Sequence, residues 1–252
     1  MTLFKFNQLL LLITNICFVL SWYVILNFGI YINLYYSIVF VLVNILCLHY
    51  LFTTVHQSSH RLLSKNSRLN YLFGFLACLF SGITFADFLF THTLHHKHIG
   101  DKSKDPDNFI SDGPVLLIPF KIFYHDYFFL KFNKSNIQLF SYFLQRILQI
   151  SLVSFLFLDK IHLFILFWLI PMLVIGMANA LFLFYFPHYI HPLEKQLNNI
   201  GIIRHLIKIS RVYHHKHHDN PANNYNFFPF ERINSLKMEE KKYSLDTNHY
   251  IY

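Results

Sequence analysis

Histidine is the residue through which this sequence can do chemistry: the chain has 17 of them, more than its 13 Asp and Glu together. They gather in four places, His56-Gln-Ser-Ser-His60, His92-Thr-Leu-His95-His96-Lys-His98, His188-Tyr-Ile-His191 and His214-His215-Lys216-His217-His218. The first is an HxxxH pattern, and the second and fourth contain HxxHH. Positions i, i+3 and i+4 of a helix share a face with Cβ atoms about 5–6 Å apart, so each box aims two or three imidazoles at one point. That is the convergence a metal ion needs. Cysteine is absent from the boxes and carboxylates are few, which argues against thiolate zinc sites, iron–sulfur clusters and carboxylate-rich di-iron bundles. Eight or nine imidazoles exceed one tetrahedral site, so two metals are the economical solution. Imidazole with open positions suits iron that activates oxygen, although zinc and copper accept it too.

The elements that carry these boxes read as membrane helices. Of 252 residues, 54% are hydrophobic and 13% charged, with a mean hydropathy of +0.37; soluble domains average roughly 25% charged residues. Segments 8–28, 32–54, 138–158 and 161–186 each reach the roughly 20 apolar residues a span requires and pair into two hairpins. Of 21 Lys and Arg, only Arg146 and Lys160 fall within or between the hairpin helices. The positive-inside rule then places both termini and the connecting region in the cytoplasm, with Arg146 snorkelling toward that face. The lysine-led first run lacks a small-residue cleavage site and reads as a retained anchor. A fifth apolar stretch, 71–90, is long enough to span, which would put His56 and His92 on opposite sides. Its Gly74, Ser81, Gly82 and Asp87 allow a membrane-parallel or re-entrant course instead, and joint use of the boxes requires it. Residues 114–132 interleave aromatics with charge and read as interfacial. Cys17, Cys47 and Cys78 lie in apolar runs as buried, reduced residues. The expectation is an all-α membrane protein of two transmembrane hairpins, interfacial or re-entrant helices and a cytoplasmic histidine-box cap.

The boxes, their order and the intervening apolar hairpin resemble the integral-membrane desaturase and hydroxylase superfamily, whose members bind a histidine-rich di-iron centre. HTLHHKHIGDKSKDPDNF, FYFPHYIHP and YHHKHHDNP look like segments of beta-carotene ketolases and related carotenoid hydroxylases. Such ketolases usually carry an acidic residue after the first-box histidine and Glu in the third box, where this chain has Gln57 and Lys216. The resemblance covers 34–230 of a single membrane domain, leaving a first helix in 1–33 and a polar cytoplasmic tail in 231–252. It implies nine ligands: His56, His60, His92, His95, His96, His188, His214, His217 and His218. Asp87, His98, Asp105, Asp107, His191 and Asp219 are candidates to hydrogen-bond and orient them. His125, His162, His205 and His249 have no partner spacing and read as interfacial or solvated.

The resemblance further implies two iron ions, oxygen as co-substrate, and oxidation of C–H bonds in a long apolar carotenoid or acyl substrate drawn from membrane lipid. No GxGxxG, haem or CxxC motif is present, so electrons come from a ferredoxin-like donor, steered by Lys195, Arg204, Lys208 and Arg211. Two other classes compete less well. A metal transporter would place acidic partners within the spans, and a nucleic-acid or membrane-surface binder rests only on the net charge of +8. With the native cysteines removed, single cysteines at Ser64 and Lys102 are expected to label from the same side of the membrane; labelling from opposite sides would refute the shared centre.

Overall fold

The computed structural model describes residues 3–28, 33–111, 117–121, 124–188 and 200–221. Every regular element among them is helical, as a chain that must satisfy its backbone inside lipid requires. In chain order these are α1 (Leu3–Phe28), α2 (Leu34–Ser59), α3 (Ser67–Ser81), α4 (Phe85–His98), α5 (Pro106–Ser111), α6 (Ile118–Lys121), α7 (Tyr124–Phe132), α8 (Asn136–Phe157), α9 (Ile161–Tyr185) and α10 (Gly201–Asp219). Three of them, α2, α8 and α9, are long and apolar enough to cross a membrane. The chain divides into two compact units, Met1–Phe90 with Phe129–Ile175, and Thr91–Phe128 with Gly176–Tyr252.

In the first unit, α2 runs five residues past the apolar segment read from sequence. Its 26 residues rise about 39 Å against an apolar slab of about 30 Å, so the turns carrying His56 and His60 overhang the span. Asn44, fully buried on α2, accepts a hydrogen bond from Ser21 Oγ at 2.7 Å and donates to Phe167 O at 2.8 Å. Phe167 lies in a π-helical turn of α9, Ile165–Leu169, a register that shifts carbonyls away from their usual intrahelical partners. Trp22 packs edge-on against Phe157, with ring centroids 4.9 Å apart, beside an apolar cavity of about 250 Å³. Cys17, expected inside, is exposed on α1, whereas Cys47 and Cys78 are buried.

The stretch 71–90 is two helices, α3 and α4, bent by 109° at residues 82–84. Gly82 ends α3 at φ +76°, and a Cβ there would stand 2.4 Å from Met172 Sδ. A break in apolar surroundings frees backbone groups that water cannot reach, and α8 answers them with three consecutive-turn polar residues. Gln145 donates to Phe75 O at 2.6 Å and accepts from Phe85 N at 2.8 Å. Gln149 Nε2 lies 2.8 Å from Cys78 O and 2.7 Å from Ile83 O. Arg146 donates to Gly82 O at 2.7 Å. A carbonyl at the break holds the guanidinium, with its charge over the Tyr142 ring at 5.4 Å.

In the second unit, the end of α9 carries another π turn, Ala180–Tyr185, and α10 docks on it. Ser210 donates to Phe182 O, and Arg211 donates to Phe186 O from Nη2 at 2.9 Å. Arg211 is thus engaged in holding the end of α9, unlike the exposed Arg204 and Lys208. Within the segment read as interfacial, Ile118, His125 and Phe128 are buried while Phe120 and Tyr127 face out.

Replacing Gln149 by Leu removes the donor of two carbonyls at the break, and each buried group left unpaired costs about 1–3 kcal/mol. Thermal unfolding in detergent is expected to shift down clearly for Gln149→Leu, whereas Phe155→Leu, at a side chain 86% exposed, stays within about 0.5 kcal/mol of the parent.

Candidate metal centre

The histidine boxes lie where helices end. His56 and His60 stand one turn apart at the end of α2, ring centroids 5.0 Å apart, with the His56 ring 6.4 Å from Phe88. Burial holds the His60 imidazole down to about 4, so it is neutral and able to offer a lone pair.

The second unit brings seven imidazoles into two groups. In one, His95, His188, His214 and His218 have ligand nitrogens all within 4.8 Å of one another. His218 Nε2 lies 3.1 Å from His95 Nε2 and 2.7 Å from His214 Nε2, and the His188 ring stands 4.4 Å from His214. In the other, His96 Nε2 lies 3.2 Å from His92 Nε2 and 2.9 Å from His217 Nε2. The rings of His96 and His218 are 4.4 Å apart, so the two groups adjoin.

Local sequence explains this placement. The i, i+3 and i+4 spacing puts His92, His95 and His96 on one face of α4, and His214, His217 and His218 on one face of α10. His188 follows α9 after Pro187, in a turn closed by its N–H on Tyr185 O at 3.1 Å. Asp105-Pro106 is a helix-start pair. The Asp105 carboxylate accepts from Asp107 N at 2.9 Å and from Gly100 N at 2.9 Å. Gly100 sits at φ +75°, the left-handed conformation that turns the chain after α4.

His95 is the most tightly held ligand candidate, with 1% exposure. Its Nδ1 faces Asp105 Oδ1 at 2.9 Å and Asp107 Oδ2 at 3.3 Å. A carboxylate there accepts a hydrogen bond from Nδ1–H and leaves the Nε2 lone pair aimed into the group. Asp107 is itself held ionised: burial opposes the charge, but His95 and then His125 outweigh it. Burial, followed by the proximity of His95, pushes His188 down to about 3, and burial with its histidine neighbours pushes His214 and His218 well below the ordinary range.

These residues fit a metal. Nitrogens bound at about 2.0–2.1 Å stand about 3.0 Å apart at right angles and about 3.4 Å apart in a tetrahedron, and the contacts of 2.7–3.2 Å are of that size. A neutral imidazole nitrogen carries either one proton or one lone pair, so His218 Nε2 and His96 Nε2, each with two nitrogen neighbours, cannot satisfy both by hydrogen bonding, whereas a cation would satisfy every lone pair at once. The donors are all nitrogen, as suits a first-row transition metal.

The structure also places other residues read from the sequence. His98 belongs to neither group, and its carbonyl accepts from Asp101 N at 2.9 Å. Asp219 is exposed at the end of α10 and Asp87 is buried in the first turn of α4. His162 and His205 are exposed, as read; His191, His249 and Lys195 lie outside the described residues. His125, read as interfacial, is instead 9% exposed with Nε2 at 2.8 Å from Asp107 Oδ1. No spacing rule reaches it, because its partner is a carboxylate on another helix.

A family model described as fatty acid desaturase matches residues 33–232 of the chain. No curated protein and no solved structure matches it.

His218 lies between two other imidazole nitrogens, so His218→Ala is expected to weaken retention by the four-imidazole group about tenfold or more, read in elemental analysis of the purified protein as loss of one of the two metals. The exposed His162 serves as the control, and His162→Ala should retain the parent's content.

Proposed function

Because the chain belongs to the fatty acid desaturase family, and is thus an integral-membrane, oxygen-dependent oxidoreductase, we propose that it is a di-iron enzyme acting on a carotenoid ring. The nine ligands of this proposal are His56, His60, His92, His95, His96, His188, His214, His217 and His218. When bound, the irons supply the reduction of oxygen and the power to oxidise an unactivated C–H bond. The observation that carries the reading is the convergence of His95, His188, His214 and His218 on one point, with His95 fixed from behind by two carboxylates.

The chain's own residues set the conditions for that chemistry. Asp105 and Asp107 hold the proton on His95 Nδ1 and keep Nε2 a donor toward metal. Burial keeps His188 and His214 unprotonated at neutral pH, so acid does not compete for their lone pairs. Electrons arrive from a separate, acidic, ferredoxin-like donor, for which the exposed cations Arg204 and Lys208 on α10 provide steering on the cytoplasmic side.

The carotenoid assignment is supported by the likeness of residues 92–109 and 184–192 to the carotenoid branch. The family's own description favours a second reading, desaturation of an acyl chain, which requires two adjacent methylenes presented in turn. Expression in cells that make beta-carotene and supply a ferredoxin separates the two. Keto or hydroxy carotenoids are expected with the parent and not with His218→Ala; unchanged pigment together with new double bonds in membrane acyl chains would establish the second reading in its place.

A further inference from the structure

We infer that His125 is a positioning residue: through Asp107 it fixes the orientation of His95 and so sets how firmly the four-imidazole group holds its metal. The inference rests on the metal-centre reading above and adds to it a residue outside every histidine box.

The geometry is a relay of three side chains from three helices. His125, in the first turn of α7, donates from Nε2 to Asp107 Oδ1 at 2.8 Å. The other oxygen of the same carboxylate, Oδ2, stands 3.3 Å from His95 Nδ1. All three residues are buried, at 9%, 5% and 1% exposure. A carboxylate gripped at one oxygen cannot swing about its Cβ–Cγ bond, so its second oxygen stays on the imidazole. Asp105 already meets His95 Nδ1 at 2.9 Å, and Asp107 adds a second direction of constraint on the same ring plane.

His125 is in turn well seated. The Tyr124 ring stacks on Phe109 at 3.9 Å with 27° between planes, tying the start of α7 to α5, the helix that bears Asp107. Lys121 donates to Phe109 O at 3.2 Å. On its other side the imidazole meets the edge of Phe184 at 5.6 Å. A buried donor in such apolar surroundings is worth more than at the surface. The bond also balances charge: two buried carboxylates face one ligand imidazole, and a second imidazole shares the load of keeping Asp107 ionised.

The test uses the full-length protein in detergent, loaded with Co²⁺, whose visible ligand-field spectrum reports imidazole coordination. Release to a chelator is then followed for His125→Leu, which has no donor, and for His125→Gln, whose amide N–H reaches the position of Nε2. Loss of a partner behind a ligand typically weakens metal binding 10- to 100-fold. One phase of Co²⁺ release, that of the group containing His95, should therefore accelerate about 10-fold or more in His125→Leu, while the other phase is unchanged. His125→Gln should stay within about threefold of the parent. If His125→Leu does not fold, His125→Asn, polar but one bond too short, takes its place. Release at the parent's rate in the Leu or Asn variant overturns the inference, as does equal acceleration of both phases or failure of Gln to rescue. If the parent itself takes up no Co²⁺, the metal-centre reading falls and the inference with it.

Discussion

Six imidazoles whose nitrogens crowd to 2.7–3.2 Å, with His188 beside them, impose the constraint that organises the second unit. Protonating them is opposed by burial and by each other, and left neutral they cannot all pair as donor and acceptor. Hydrogen bonding cannot resolve the conflict, since His218 Nε2 and His96 Nε2 each have two nitrogen neighbours and a neutral ring carries only one proton. Such an arrangement requires the helices to hold the rings in place, and a bound cation would satisfy the lone pairs at once. Five of the rings are backed by structure: His95 by Asp105 and Asp107, His188 by the turn after α9, and His214, His217 and His218 by the docking of Ser210 and Arg211 on carbonyls at the end of α9.

The same physical rule governs the apolar first unit, where the scarce partners are backbone groups. Helix breaks and π turns expose carbonyls to surroundings without water, and each exposure is answered by one polar side chain from a neighbouring helix. Gln145, Arg146 and Gln149 serve the α3–α4 break, Trp168 reaches Phe80 O at 2.6 Å, and Asn44 serves the π turn at Phe167. Polar residues in apolar helices thus report where a neighbouring backbone departs from α geometry. Arg146 shows the hazard of reading them by charge alone. Its charge alone points to the membrane surface, but the contact that the structure adds is an open carbonyl, Gly82 O at 2.7 Å.

What was legible in the sequence is what depends on period and composition. Apolar length gave the long helices within a few residues, and the i, i+3, i+4 spacing gave the faces of α4 and α10 that carry His92, His95, His96, His214, His217 and His218. Gly82 in the stretch 71–90 marked a possible break, although the 109° bend itself depends on partners from α8 that no local pattern announces. His125 escaped because periodicity describes one helix at a time, and its role is defined by α5, α7 and α4 together. Arg211 looked like a free surface cation for a similar reason: its acceptor, Phe186 O, is a backbone atom 25 residues away.

The Asp-Pro-Asp run illustrates how a motif can point to a mechanism without naming a substrate. As sequence it lies in the stretch 92–109 that resembles a segment of carotenoid enzymes. As structure it is an N-cap, a helix-starting proline and a second carboxylate, and both acids end on His95 Nδ1. Its physical work is to set the tautomer and basicity of one ligand, which bears on any oxidation performed at that metal. Substrate choice rests on different atoms, the apolar walls that decide whether a bulky ring or a narrow acyl chain lies over the centre. A chain could keep the run unchanged while its walls drift from one substrate to the other. The ligand-holding motif thus bears on the chemistry proposed for the centre, and the apolar walls around a substrate decide what is oxidised there.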